Sequence, residues 1–222
     1  MKKLFLFMAM ALVSFGTFAK TMVVLGDSYS AHRDVIPQGY ASYYPVFYSS
    51  TGVQTVDQMW YSLVANKMKY TLGSINAWSG STICNTGYGG QDFSNQSFIS
   101  RIDKLGKADV ILILGGTNDA WANSPIGNYK YASWTKEDLA TFRPAMAYLL
   151  DGLRKKYPSA GIFFILNNEL KDAINESVKT VCKEYKVPVV ELKDIEKEAG
   201  HPTLTGMKQI ADQVVKVVKR HK

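Results

Sequence analysis

A chain of 222 residues in which 46% are hydrophobic and 20% charged has enough apolar surface for one domain's core. Its formal charge of +7 is spread over amphipathic stretches and a Lys-rich tail with no Arg-rich stripe, a pattern that argues against a nucleic-acid partner. Two cysteines and three histidines with no His-x-x-His or Cys-x-x-Cys cluster supply no zinc ligands, and nothing else calls for a metal or cofactor.

Met1 to Ala19 open with Lys2 and Lys3, continue as an apolar run from Leu4 to Val13 and end in small residues, the pattern of a secretory signal peptide. The run is shorter than the ~20 residues of a membrane span. The expected product is one domain, residues 20–222, secreted or periplasmic and with no membrane partner, its charge lowered by the two lost lysines. Met22 to Leu25 then read as a buried strand running into Gly26-Asp27-Ser28-Tyr29. Open parallel sheets place their reactive groups outside the carboxyl ends of their strands, so Ser28 is a candidate nucleophile. Ala31 to Thr55, rich in Tyr, Ser, Gly and Pro, must lie near it.

Val56 to Lys69 has helical spacing, and Ser74 to Ala77 reads as a strand leading to Trp78-Ser79-Gly80-Ser81-Thr82. Gly80 offers either a backbone N–H to an oxyanion or merely a positive-φ turn. The strand Val110 to Leu114 runs into Gly115-Gly116-Thr117-Asn118-Asp119, where Asn118 is either an amide donor to an oxyanion or an Asx turn at a helix start. Asp27 and Asp119 are the acidic members of these turns and are assigned supporting places.

Thr135 to Tyr157 and Lys171 to Tyr185 are expected helices, Gly161 to Leu166 and Val187 to Val190 expected strands, and Thr203 to Arg220 the last helix. Strands alternating with helices predict a three-layer α/β/α sandwich around a five-stranded parallel sheet. Of the histidines, His221 lies in the tail and His32 on the serine's own loop. His201, in the loop opening the last helix, is the candidate base. Cys84 and Cys182 fall near opposite edges of the expected sheet and are not expected to pair.

The order Gly-Asp-Ser, Ser-Gly-x-Thr, Gly-Gly-Thr-Asn-Asp and a late His-Pro resembles the SGNH subgroup of the GDSL hydrolases across nearly the whole mature chain. The resemblance implies a flavodoxin-like strand order 2-1-3-4-5, Ser28 as nucleophile, His201 as base, and an oxyanion hole from the N–H of Ser28, the N–H of Gly80 and the amide of Asn118. The family usually carries an aspartate three residues before the histidine, where this chain has Glu198. Glu198 is the expected third member, with Asp194, Glu196 and a backbone carbonyl as the alternatives.

No Gly-x-Ser-x-Gly elbow occurs, which counts against an α/β-hydrolase. Tyrosines 29, 40, 43, 44, 48, 129 and 131 and tryptophans 78, 121 and 134 crowd the expected rim, and Tyr29, Trp78 and Trp121 are the expected substrate contacts. Aromatic faces with polar tips suit sugars, so the expected partner is a small-molecule or glycan ester, with a short acyl group such as acetyl. An acyltransferase with the same residues, or a non-catalytic glycan-binding protein on the same scaffold, are the alternatives. The sequence leaves the oligomeric state undetermined.

Overall fold

The structure, a computed structural model, describes residues 19–45 and 51–221. The signal-peptide assignment, except for Ala19, and the rim assignment of Tyr48 lie outside the described residues. Five strands, β1 (Thr21–Gly26), β2 (Thr71–Ala77), β3 (Val110–Leu114), β4 (Gly161–Leu166) and β5 (Val189–Glu191), form a parallel sheet in the order β2-β1-β3-β4-β5. The expected order and layering hold.

Both faces of the sheet are buried, which is why its central strands are continuous apolar runs rather than alternating ones. Met22 and Val24 of β1, with Val110, Leu112 and Leu114 of β3, pack toward one face beneath α1 (Trp60–Met68) and α6 (Leu204–Arg220). Val23, Leu25, Ile111 and Ile113 pack toward the other, beneath α4 (Phe142–Lys156) and α5 (Asp172–Glu184). In α6 the buried residues Met207, Ile210, Ala211, Val214, Val215 and Val218 repeat at three- and four-residue spacing, a single apolar stripe, and Thr203 Oγ1 caps the helix by accepting from the Gly206 N–H at 3.1 Å.

Two expected helices are interrupted. The segment from Thr135 divides into α3 (Lys136–Leu139) and α4, with Thr141 extended between them. Pro144 has no N–H for the Ala140 carbonyl, which accepts instead from Thr86 Oγ1 at 2.7 Å. The segment from Val56 divides into a 3-10 turn (Val56–Gln58) and α1 at the extended, fully buried Met59. Four short elements that periodicity does not detect are also present among the described residues: 3-10 segments at Tyr88–Gly90 and Ile99–Lys104, α2 (Thr117–Trp121), and a hairpin of β6 (Lys197–Glu198) with β7 (His201–Pro202).

Register sets the position of the site. Gly26 is level with Ala77 on one side and Leu114 on the other, and Leu114 is level with Ile165. Strands β2, β1, β3 and β4 therefore end together, and the turns that follow them open on one rim.

Candidate active site

The first side chain on that rim is Ser28, two residues beyond the end of β1. A Cβ on Gly26 would sit 2.5 Å from Ser30 Oγ, so the chain can double back this tightly only at a glycine. Asp27 Oδ1 accepts the Tyr29 N–H at 3.0 Å, and Ser30 N–H returns to the Asp27 carbonyl at 3.0 Å. The turn holds Ser28, only 4% exposed, with its Oγ 3.0 Å from His201 Nε2.

His201 arrives from the β6–β7 hairpin, whose tip, Ala199 and Gly200, has positive φ at both residues. Its Nδ1 lies 3.1 Å from the Ala199 carbonyl. A carbonyl can only accept, so the proton belongs on Nδ1, and Nε2 is left with the lone pair that the Ser28 hydroxyl requires. A backbone carbonyl is one of the alternatives to Glu198, and it is the partner found at Nδ1. Glu198 is the backbone partner of His201 across the hairpin, and the Ala199 carbonyl lies at hydrogen-bonding distance from Nδ1.

The His201 pKa is lowered, chiefly because burial penalises the charged ring; the Ala199 carbonyl opposes this and the Lys197 charge adds to it. Lys197 itself is mostly buried and paired with Glu169 at 3.1 Å. Around the imidazole, Tyr43 stacks at a centroid distance of 3.5 Å and Trp121 meets it edge-on at 5.8 Å.

Tyr29 corrects an expectation. It is fully buried, donates to the Gly200 carbonyl at 2.6 Å and accepts from Asn167 Nδ2 at 3.1 Å, so it braces the histidine hairpin rather than facing substrate. Tyr44 braces the same hairpin through the Pro202 carbonyl at 2.8 Å. Trp78 is half-buried with one face stacked on Tyr40, whereas Trp121 is exposed beside His201.

The two other turns complete the rim. Gly80 has φ +81, and neither its N–H nor that of Ser28 has a partner among the described residues. Asn118, 2% exposed, lies in the first turn of α2; its Nδ2 donates to the Ser81 carbonyl at 3.0 Å and its Oδ1 accepts from the Tyr88 hydroxyl at 2.7 Å. Asp119 accepts the N–H groups of Ile83 and Cys84, tying the Gly80 loop to α2. Burial raises both turn carboxylates: Asp27 to about 7, offset by the Tyr29 N–H and Arg101, and Asp119 to about 6, offset by its N–H donors.

Arg101 is fully buried beneath these loops. Its guanidinium donates to the Gly26 carbonyl, to Asn76 O and Oδ1, and to Ser81 Oγ, and burial lowers its pKa to about 9. Sequence reasoning missed Arg101, which resembles any solvated arginine in a turn-rich stretch. It also missed Asn167, although a polar residue ending the β4 run is the same signal that singles out Ser28 and Asn118. Tyr88, set among Gly87, Gly89 and Gly90, was signalled only by an aromatic flanked by glycines.

The sequence model of one family, described as GDSL-like lipase/acylhydrolase, matches residues 20–218. A solved protein from Bacteroides ovatus described as a GDSL-like lipase is 47% identical, with 92% of this chain and 99% of that one covered at a TM-score of 0.88. One from Bacteroides uniformis with the same description is 41% identical, with 91% and 96% covered at 0.89. A family two carbohydrate esterase from Clostridium thermocellum, solved with cellohexaose, shares the fold at 19% identity and a TM-score of 0.60 over 91% of this chain and 64% of that one. A search of curated proteins finds no match.

Proposed function

The chain belongs to the GDSL-like lipase/acylhydrolase family, and on that premise we propose that it is a serine esterase acting through a Ser28–His201 pair with a backbone carbonyl in place of the usual acid. The observation that carries the reading is the 3.0 Å approach of Ser28 Oγ to His201 Nε2, with Nδ1 already committed to the Ala199 carbonyl. A ring kept neutral by burial accepts the serine proton as Oγ attacks the ester carbonyl. The developing oxyanion is received by the N–H groups of Ser28 and Gly80 and by the Asn118 amide, donors held in place before substrate arrives. His201 then returns the proton to the departing alcohol, and water, activated by the same nitrogen, cleaves the acyl-enzyme.

The substrate proposed is a short-acyl ester on a carbohydrate. Its support is the pair of exposed aromatic side chains at the site, Trp121 beside His201 and Tyr88 beside Asn118, whose faces suit pyranose rings. The fold shared with a carbohydrate esterase is compatible with that choice and does not decide it. Export of the chain, with cleavage before Lys20, is likewise our proposal; its support is the Lys2-Lys3 start and the apolar run after it.

The deciding experiment is hydrolysis of p-nitrophenyl acetate by the chain from Lys20, run beside Ser28→Ala. Turnover lost in the variant supports the reading. A folded, unmutated chain that turns over neither this ester nor acetylated xylan overturns it and favours a transferase or a glycan-binding protein. Equal turnover of acetyl and decanoyl esters with no preference for acetylated sugar overturns the substrate proposal alone.

A further inference from the structure

Asn118 is almost wholly buried, yet its amide oxygen accepts a hydrogen bond from a residue that stands 38% exposed. Tyr88 sits at the tip of a small closed loop: Gly87 N–H donates to the Gln91 carbonyl at 2.9 Å, Gly90 N–H to the Gly87 carbonyl at 3.1 Å, and Thr86 bridges Asp92. Gly89 and Gly90 have φ of +62 and +77, backbone that L side chains rarely adopt, so the glycines allow the loop to close tightly enough to turn the phenol inward. The hydroxyl at the end of that ring is 2.7 Å from Asn118 Oδ1.

An amide in this place has two ways to lie. With Oδ1 toward Tyr88, one Nδ2 hydrogen meets the Ser81 carbonyl at 3.0 Å and the other is uncommitted among the described residues, available to the reaction site. Rotated by 180°, the amide would press its oxygen against the Ser81 carbonyl and turn its Nδ2 hydrogens toward Tyr88. The Ser81 carbonyl, which can only accept, selects the first orientation, and in it the Tyr88 hydroxyl donates to Oδ1 and adds a second bond that fixes the plane of the amide. A donor on Oδ1 also polarises the amide and strengthens its remaining N–H as a donor.

We propose that Tyr88 is a positioning residue for the reaction, holding the Asn118 amide so that Nδ2–H faces the carbonyl oxygen of the bound ester. The inference deepens the esterase reading and rests on it. Burial, with Asp27 and Asp119 nearby, raises the Tyr88 pKa, so the phenol keeps its proton through the pH range in which the serine works.

Tyr88→Phe keeps the ring and removes only the donor. Using p-nitrophenyl acetate, the chain from Lys20 is compared with Tyr88→Phe, Asn118→Ala and the double variant. Tyr88→Phe should lower kcat about tenfold with KM within about twofold, and should cost almost nothing further once Asn118 is alanine. Equal losses in both backgrounds, or a change in KM alone, overturn the proposal. The Asn118 side-chain amide, followed by NMR in the same proteins, gives a readout independent of turnover. A single sharp N–H pair that shifts and broadens in Tyr88→Phe supports the positioning role, and an unchanged pair overturns it. If the unmutated chain has no esterase activity, the function proposed above fails while the amide spectrum still decides the role of Tyr88.

Discussion

At the scale of single residues, His201 is the proposed base, and its surroundings make its role testable. A carboxylate that completes a serine triad costs about 10⁴ in rate when neutralised, whereas a residue away from the ring costs about twofold or less. Glu198→Gln is expected to fall in the second class, since the Ala199 carbonyl already occupies Nδ1, and kcat on p-nitrophenyl acetate measures which class applies. Asn118→Ala, by contrast, should lower kcat by about 10². A further prediction concerns pH. The base works only when neutral, and its pKa is lowered, so kcat/KM should rise with pH and level off below the usual histidine range. Lys197 contributes to that lowering; Lys197→Met should raise the His201 pKa and move the acidic limb of the profile to higher pH. That Ser28, Gly80, Asn118 and His201 would come to one rim was legible because each follows an apolar run or opens a helix. The Ala199 carbonyl was not, because any residue has one and only the hairpin aims it.

At the scale of elements, three strand-end turns are held together by side chains from elsewhere. Arg101, projecting from the 3-10 helix, bonds to the ends of β1 and β2 and to the Gly80 loop at once. Arg101→Met should leave several of those acceptors buried and unpaired, at a cost of about 3 kcal/mol by urea denaturation. Asp27 acts from within its own turn. Its folded pKa of about 7 lies above its unfolded value near 4, so the stability it contributes is complete below the unfolded pKa and is lost as pH rises through about 7. Asp27→Asn keeps an oxygen for the Tyr29 N–H and does not titrate. Denaturation midpoints of the variant should therefore fall less than those of the unmutated chain between pH 5 and pH 8. The helix break before Pro144 and the β6–β7 hairpin were poorly legible, because two-residue strands have no period and a helix pattern continues across a break whenever the next helix buries the same face.

At the scale of the molecule, the sheet stacks two apolar layers and its register aligns the turns. Cys84 and Cys182 are buried as free thiols within the layer beneath α4 and α5, so a reducing agent should leave the melting temperature unchanged. The sequence by itself determined the class of fold, nearly every strand, the family and the four rim positions Ser28, Gly80, Asn118 and His201. These follow from local pattern, since apolar period, glycine turns and motif order are properties of neighbouring residues. Only the tertiary structure decided that the Ala199 carbonyl meets the imidazole, that Tyr29 braces the hairpin and lies buried, and that Arg101 and Tyr88 reach the strand-end turns. The Ala199 carbonyl is only two residues from His201 and is aimed by the hairpin, whereas the Tyr29, Tyr88 and Arg101 contacts join positions 30 to 171 apart in the sequence. Such meetings are set by strand order, register and loop closure, which no local pattern encodes.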